Sequence, residues 1–299
     1  MTSRVAVLRN PLAGRGAHEA AVSAALAALA GPDRAVEVLP ARTRDEALAA
    51  VQDAVAGGVD ALVVVGGDGT VHVGLQAVAG SGVGFGVIAA GTGNDFAQTM
   101  GVPADPVAAA YAIVAALEQG RHAAADLACI EDADGRRTWF GGVLACGFDA
   151  LVNERANAMR WPKGRRRYDI AILLELARFR PRRYRLTFDD GTVVERPANL
   201  VAVANMASYG GGMRMAPDAS ATDGLLDVVV AGPVGRLTLL RLFPRVFQGT
   251  HVQHKAVTVY RTRSVRVEAD GIVGYADGER TSPLPITVTV HPDAVRVLA

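Results

Sequence analysis

The sequence predicts an α/β plus β protein, with an N-terminal doubly wound α/β domain over residues 1–125 and a C-terminal, mainly antiparallel β domain over 126–299 whose last residues pack back on the first. Three observations predict it. Strand and helix alternate through the first third of the chain, the signature of a parallel sheet wound by crossover helices. Ala61-Leu-Val-Val-Val65 is an unbroken apolar run rich in β-branched residues, as a strand buried on both faces requires. From about Asp126 the pattern turns to β-rich runs separated by Asp-Gly turns.

In order, Val5–Leu8 reads as the first strand, followed by the turn Asn10–Gly16 and an alanine-rich helix near His18–Ala30. A strand near Ala35–Leu39, a helix near Asp45–Ala56, the strand Leu62–Val65 and a helix restarting at Thr70 come next. Gly84–Ala89 is a fourth strand, and it ends in the turn Ala90–Asp95 before another helix. In the second part Asp132-Ala-Asp-Gly135 and Asp189-Asp-Gly191 read as hairpin turns. Strands are predicted at Arg182–Phe188, Thr192–Glu195, Asn199–Ala204, Leu225–Val230, Val257–Tyr260, Val265–Glu268, Ile286–Val290 and Val295–Leu298. Helices are predicted at Asp149–Met159, Tyr168–Phe179 and Gly235–Phe247.

A composition of 50% hydrophobic and 20% charged residues excludes a disordered chain. The net charge of +1 gives no general case for nucleic acid, so any electrostatic message is local. Cys129 and Cys146 fall inside apolar runs and read as buried thiols in a reducing compartment. The N-terminus runs into a strand without a signal-peptide core, and no apolar run reaches bilayer length. These features point to a cytoplasmic protein that is still able to touch the inner face of a membrane.

Gly66-Gly67-Asp68-Gly69 carries the strongest chemical message. Three glycines around one carboxylate let the backbone pass close to a bulky anionic group, and the following helix N-terminus offers N–H donors to the same ligand. Asp68 would repel a bare phosphate, so a metal ion or metal-bound water is expected between them, which points to a nucleoside triphosphate with magnesium. A second turn, Gly91-Thr-Gly-Asn-Asp-Phe96, ends the next strand, and Asn10–Gly16 ends the first. All three lie at strand carboxyl ends, where ligands of such sheets bind. Arg15 either reaches a phosphate or belongs to an ordinary capped turn.

Other segments have two readings. Ala276-Asp-Gly-Glu279 is a hairpin turn by composition, and a source of a general base if its carboxylates are functional. Pro217–Asp227 carries three aspartates ahead of a strand, either a solvated acidic loop or a hard-cation site around Asp223. Ten basic residues crowd Arg160–Arg185, offset only by Asp169 and Glu175, around the apolar helix Ile170–Leu176. They form either a solvated face or a contact for anionic lipid head groups. His72, His122, His251 and His254 have no partners at recognisable spacing.

With these residues in view, the chain resembles the diacylglycerol kinase catalytic family, which includes bacterial soluble diacylglycerol kinases and their sphingosine and ceramide kinase relatives. The resemblance runs through Asn10-Pro-Leu-Ala-Gly14, Gly66-Gly-Asp-Gly-Thr70, Gly91-Thr-Gly-Asn-Asp-Phe-Ala97 with Met100-Gly-Val-Pro103, Gly147-Phe-Asp-Ala150, Asp223-Gly-Leu-Leu-Asp227 and Asp277-Gly-Glu279. Six motifs in order make it specific. It implies an ATP-binding α/β domain, a C-terminal β-sandwich, and ATP meeting a lipid head group in the cleft. Asn10, Pro11, Leu12, Ala13, Gly14, Thr43, Gly66, Gly67, Asp68, Gly69, Thr70, Val71, His72, Gly91, Thr92 and Asn94 match positions resembling the family's ATP-binding segments.

By the same resemblance, Asp68, Asp95 and Asp126 organise a catalytic magnesium and its waters. Asp223 with backbone oxygens of Ser220 and Leu225 resembles a second, structural magnesium site. Glu279 and Asp277 jointly resemble the catalytic turn whose acidic residue accepts the substrate proton. Gln98 stands where the family often carries a basic residue. The expected reaction is ATP-dependent phosphorylation of a lipid hydroxyl, above all diacylglycerol to phosphatidic acid, at a membrane surface. An edge strand of the β domain offers a route to a homodimer. Two alternatives remain. An NAD kinase shares the Gly-Gly-Asp-Gly turn, but Gly91–Phe96 and Asp277-Gly-Glu279 speak against it. A catalytically silent lipid-binding module is opposed by the acidic residues present at every matched position.

Overall fold

The computed structural model describes residues 2–10, 19–159, 161, 170–171, 174–175 and 180–299. The chain divides into two compact units, Met1–Leu127 with His291–Ala299, and Ala128–Val290.

The first unit is a parallel sheet in the order β2-β1-β3-β4, with β1 Ser3–Arg9, β2 Arg34–Leu39, β3 Ala61–Gly66 and β4 Gly84–Ala89. The end of the last strand, β16 (Ile286–Leu298), extends it by pairing Arg296–Leu298 parallel to Gly84–Gly86 of β4. Every residue of β3 is buried, as the apolar run predicts. Among the described residues this unit has the helices α1 Glu19–Leu29, α2 Arg44–Ala56, α3 Asp68–Val78, α4 Asp95–Thr99 and α5 Pro106–Glu118. Successive side chains on β4 point to opposite faces. Phe85 lies where a Cβ on Gly74 of α3 would sit 2.7 Å away, and Gly86 faces Ile113 of α5 at 2.9 Å. Helices therefore cover both faces, and the sheet is doubly wound. The strand order reverses between β1 and β3, which makes their carboxyl ends the switch point where such sheets bind ligands.

The second unit is a β-sandwich. One sheet runs β12-β11-β10-β7-β14-β15: Val257–Thr262, Leu226–Ala231, Leu200–Ala204, Val143–Gly147, Val273–Ala276 and Glu279–Pro283. The other contains β13 (Ser264–Glu268), β8 (Arg182–Phe188) and β9 (Val193–Ala198), with Ile286–Val290 of β16 and the hairpin of β5 (Ala123–Asp132) and β6 (Arg137–Phe140). Phe140, Leu186, Val265 and Val288 from this sheet meet Leu144, Val203 and Val228 from the first in one buried core. The Tyr184 hydroxyl donates to the Cys146 carbonyl at 2.7 Å, linking the two sheets through an otherwise apolar interior. Helices α6 Phe148–Ala158 and α7 Arg236–Gln248 belong to this unit.

Both predicted hairpin turns are present, with Gly135 and Gly191 at positive φ, and both cysteines are buried free thiols. Two expectations are corrected. The third helix starts at Asp68 rather than Thr70, because Gly67 takes the N-cap position and its carbonyl accepts from Thr70 and Val71. The last two predicted strands are one element, Ile286–Leu298, which carries Asp293 at a φ of 52° between its two halves. Among the described residues, no helix is long and apolar enough to cross a membrane.

Candidate active site

In the first unit, the loops after β3 and β4 are locked to each other. A Cβ on Gly91 would lie 2.5 Å from the Gly67 Cα, so the two backbones touch where no side chain fits. The Ala90 N–H donates to the Gly66 carbonyl at 2.9 Å. Asp68, in the first turn of α3, accepts from the Asn94 N–H at 2.9 Å and so ties one loop to the other. Asn94 holds the left-handed conformation with φ 59°, which Asn tolerates better than most residues. Its amide explains why: the Oδ1 accepts from Gly91 N at 3.1 Å and the Nδ2 donates to Gly91 O at 3.0 Å. Gly67 provides no side-chain cap to α3, and the first N–H groups of a helix have no intrahelical partners. The pair of turns is a cradle suited to an anion chain lying against backbone.

Asn10 follows β1 and its N–H donates to the Val65 carbonyl at 3.1 Å, which places it beside β3 at the switch point. Gly69 and Thr92 are exposed; Thr70, Val71 and His72 are buried, with the Thr70 side chain packed against Gly66. Thr43 is the N-cap of α2, its hydroxyl accepting from Glu46 N at 3.2 Å. Pro11, Leu12, Ala13 and Gly14, with Arg15, lie outside the described residues.

Asp95 and Asp126 are buried, and Asp126 accepts from the Asp293 N–H at 3.0 Å. Among the described residues no group of three or more His, Cys, Asp or Glu side chains is arranged to hold a metal ion. Asp68, Asp95 and Asp126 thus form no cage of their own. They fit magnesium's usual habit of binding through substrate phosphates and retained waters, with few protein ligands.

In the second unit, Asp277 and Gly278 form the two-residue turn between β14 and β15, with φ of 52° and 83° and Ala276 paired to Glu279. Positive φ at both positions is the type I′ geometry that Asp-Gly favours. Both Asp277 oxygens are engaged: Gly141 N donates at 3.0 Å and Gly142 N at 2.9 Å. Charge-assisted bonds to two consecutive peptide groups make this carboxylate an anchor for the β6–β7 connection. Glu279, across the turn, is half-buried.

The same geometry reveals residues that sequence reasoning missed. Buried Asn205 donates to the Gly141 carbonyl at 2.8 Å, and its N–H donates to Gly142 O at 2.9 Å, so Gly141-Gly142 is gripped from two sides. Close by, Ser208 O stands 3.8 Å from where a Gly142 Cβ would be, and it leads into Gly210-Gly211-Gly212, all at positive φ in a loop closed by Tyr209 and Met213. Both glycine runs were visible in the sequence as turn signals.

The Asp223 segment is arranged differently from a metal site. Asp223 Oδ1 accepts from Leu225 N at 3.0 Å, its Oδ2 pairs with Arg261, and Ser220 shares a hydroxyl contact with Thr222. The Arg261 guanidinium also faces buried Asp227 at 3.7 Å. Burial pushes the Asp227 carboxyl up in pKa, against the pull of Arg261. The cation beside Asp223 and Asp227 in this structure is the Arg261 guanidinium.

Of the basic run, Arg160, Lys163, Arg165, Arg166, Arg167 and Arg178 lie outside the described residues, and Arg185 is committed to Glu195 and Glu268.

Comparison with known proteins agrees with this architecture. Residues 4–130 match the diacylglycerol kinase catalytic domain, and residues 142–299 match the YegS C-terminal NAD kinase beta sandwich-like domain. The chain is 45% identical over 298 residues to a diacylglycerol kinase of Mycobacterium tuberculosis, covering 99% of this chain and 94% of that one. In fold it resembles a putative diacylglycerol kinase from Bacillus anthracis, with a TM-score of 0.76, 22% identity and coverage of 99% and 97%. An NAD kinase from Archaeoglobus fulgidus in complex with ATP is a more distant likeness, with a TM-score of 0.54, 16% identity and coverage of 98% and 92%. The chain therefore belongs to the diacylglycerol kinase family, a family of kinases that act on hydroxyl acceptors.

Proposed function

We propose that this protein is an ATP- and magnesium-dependent lipid kinase that transfers the γ-phosphoryl group to the hydroxyl of diacylglycerol, giving phosphatidic acid. One observation carries the acceptor: 45% identity along 99% of the chain to a protein named diacylglycerol kinase. The donor reading rests on the paired turns of the first unit. Gly66, Gly67, Gly69 and Gly91 let a triphosphate lie against backbone, with Asn10, Thr92 and the N-terminus of α3 as hydrogen-bonding groups. Asp68 keeps Asn94 and its turn in place, and with Asp95 and Asp126 supplies the negative charge toward which a hydrated magnesium is drawn. Magnesium, when bound with the nucleotide, neutralises charge building on the transferring oxygens. Glu279 accepts the proton as the O–H bond of the acceptor breaks and its oxygen bonds to the γ-phosphorus, while the bond from that phosphorus to the β,γ-bridging oxygen breaks and ADP leaves. Asp277 is left as the residue that positions the hairpin.

The test is γ-labelled ATP with magnesium and mixed micelles of diacylglycerol. Labelled phosphatidic acid is expected, and its formation should stop when EDTA removes the metal. Phosphorylation of NAD without any lipid product would move the assignment to the NAD kinase reading, which the fold likeness to the ATP-bound archaeal protein favours. Lipid binding without turnover of any acceptor would leave only a binding module.

A further inference from the structure

Helix α7 carries two apolar faces where one is enough to hold it. At 100° per residue, Leu239, Leu242 and Val246 point one way. Leu242 is buried, Leu239 packs against the Phe148–Val152–Ala171 cluster and Val246 against the cluster around Tyr209 and Met215. These contacts fasten the helix. Leu237, Leu240, Pro244 and Phe247 recur at i, i+3, i+7 and i+10 and form a second stripe. Leu237 is 72% exposed, Leu240 47% and Phe247 39%. Arg236, Arg241 and Arg245 flank this stripe, the helix contains no acidic residue, and among the described residues none of the three arginines makes an ion pair. Exposed Trp161 and Leu174 belong to segments that share the Phe148–Val152–Ala171 cluster, through Met159 and Ala171 respectively.

A stripe of leucine and phenylalanine edged only by arginine is complementary to one kind of surface, apolar inside and anionic at its rim. We infer that the outer stripe of α7 docks the protein on an anionic bilayer, with Leu237, Leu240 and Phe247 entering the acyl boundary and the three arginines at the phosphates. A protein partner would call for acceptors matched to individual guanidinium groups; a lipid surface asks only for the stripe and the charge. The choice of occupant rests on the proposed lipid acceptor, but docking does not require turnover, so the two can fail separately.

The experiment is sedimentation with phosphatidylcholine vesicles, with and without phosphatidylglycerol, for wild type and the double variant Leu237→Ser/Leu240→Ser. Wild type is expected to bind the anionic vesicles, and the variant to lose roughly tenfold or more in partitioning. The variant's melting temperature and its turnover of a water-soluble short-chain diacylglycerol should not change. Arg241→Gln/Arg245→Gln should weaken binding and flatten its salt dependence. Binding of the double variant within about twofold of wild type would overturn the inference. So would a shift from dimer to monomer with vesicle binding intact, which would make the stripe a contact between copies. α7-dependent binding by a protein that phosphorylates no lipid would uphold docking while the kinase reading fell.

Discussion

Asp277 and Glu279 stand on either side of Gly278, and their surroundings give them different work. Asp277 accepts from two peptide N–H groups, which commits its carboxylate to the Gly141-Gly142 connection. In the proposed reaction Glu279 is the base. Glu279→Gln should lower kcat by about 10²–10⁴, the usual worth of a positioned base, with the melting temperature unchanged. Asp277→Asn keeps one acceptor and loses the charge, and should destabilise by roughly 1.5–3 kcal/mol. In a protein of this size that is a fall of roughly 3–10 °C in melting temperature, measurable by calorimetry. If Asp277→Asn instead abolished turnover at unchanged melting temperature while Glu279→Gln stayed active, the roles would be exchanged. Both residues were visible as candidates in the sequence. Their division of labour was not, because Gly141 and Gly142 lie more than a hundred residues away along the chain.

At the scale of elements, the β3–α3 and β4–α4 turns act as one device. Each is an ordinary glycine turn by sequence, and their spacing along the chain already suggests a shared ligand. Contact between Gly67 and Gly91, and the Asp68–Asn94 hydrogen bond, turn two loops into a single rigid cradle. Gly91→Ala would place a methyl 2.5 Å from the Gly67 Cα, where backbone rather than a flexible side chain must yield. Forcing the turns apart should raise KM for ATP by about tenfold or more and cost roughly 1–3 kcal/mol of stability. Gly235→Ala is the control, because no atom lies within 4 Å of its Cβ position and its φ of −66° suits any residue. It should change neither quantity appreciably. Kinetics in ATP and thermal melts on both variants check the pair. Thr43, matched by resemblance to a nucleotide-binding segment, caps α2 through its hydroxyl. Capping and ligand binding use the same side-chain chemistry, so the residue type alone could not separate them.

For the molecule as a whole, stability should depend on pH through His251. Burial lowers its pKa from 6.5, against the Met215 and Arg245 carbonyls that favour the protonated ring. A group depressed in the folded state contributes stability that is present above its unfolded pKa and lost as pH falls through the folded one. Melting temperature should therefore drop as pH falls below about 6.5. His251→Gln keeps a donor for the Met215 carbonyl and should flatten that limb. Asp227, raised by burial, contributes with the opposite sign, its stability lost as pH rises from about 4. It titrates in both proteins, so the difference between their melting curves isolates the imidazole. An unchanged acid limb in the variant would show that His251 is not its source. By itself, the sequence determined the doubly wound α/β unit, the β-rich second part, the hairpin turns and the two glycine-and-aspartate loops at strand ends, because hydrophobic period and turn chemistry are local properties. Only the tertiary structure decided that Asp277 is an anchor, that Arg261 neutralises Asp223 and Asp227, and that α7 has an outer apolar stripe left uncovered. Each of these depends on which distant residues come within hydrogen-bonding or packing range, and that is set by strand order and helix facing rather than by any local run of residues.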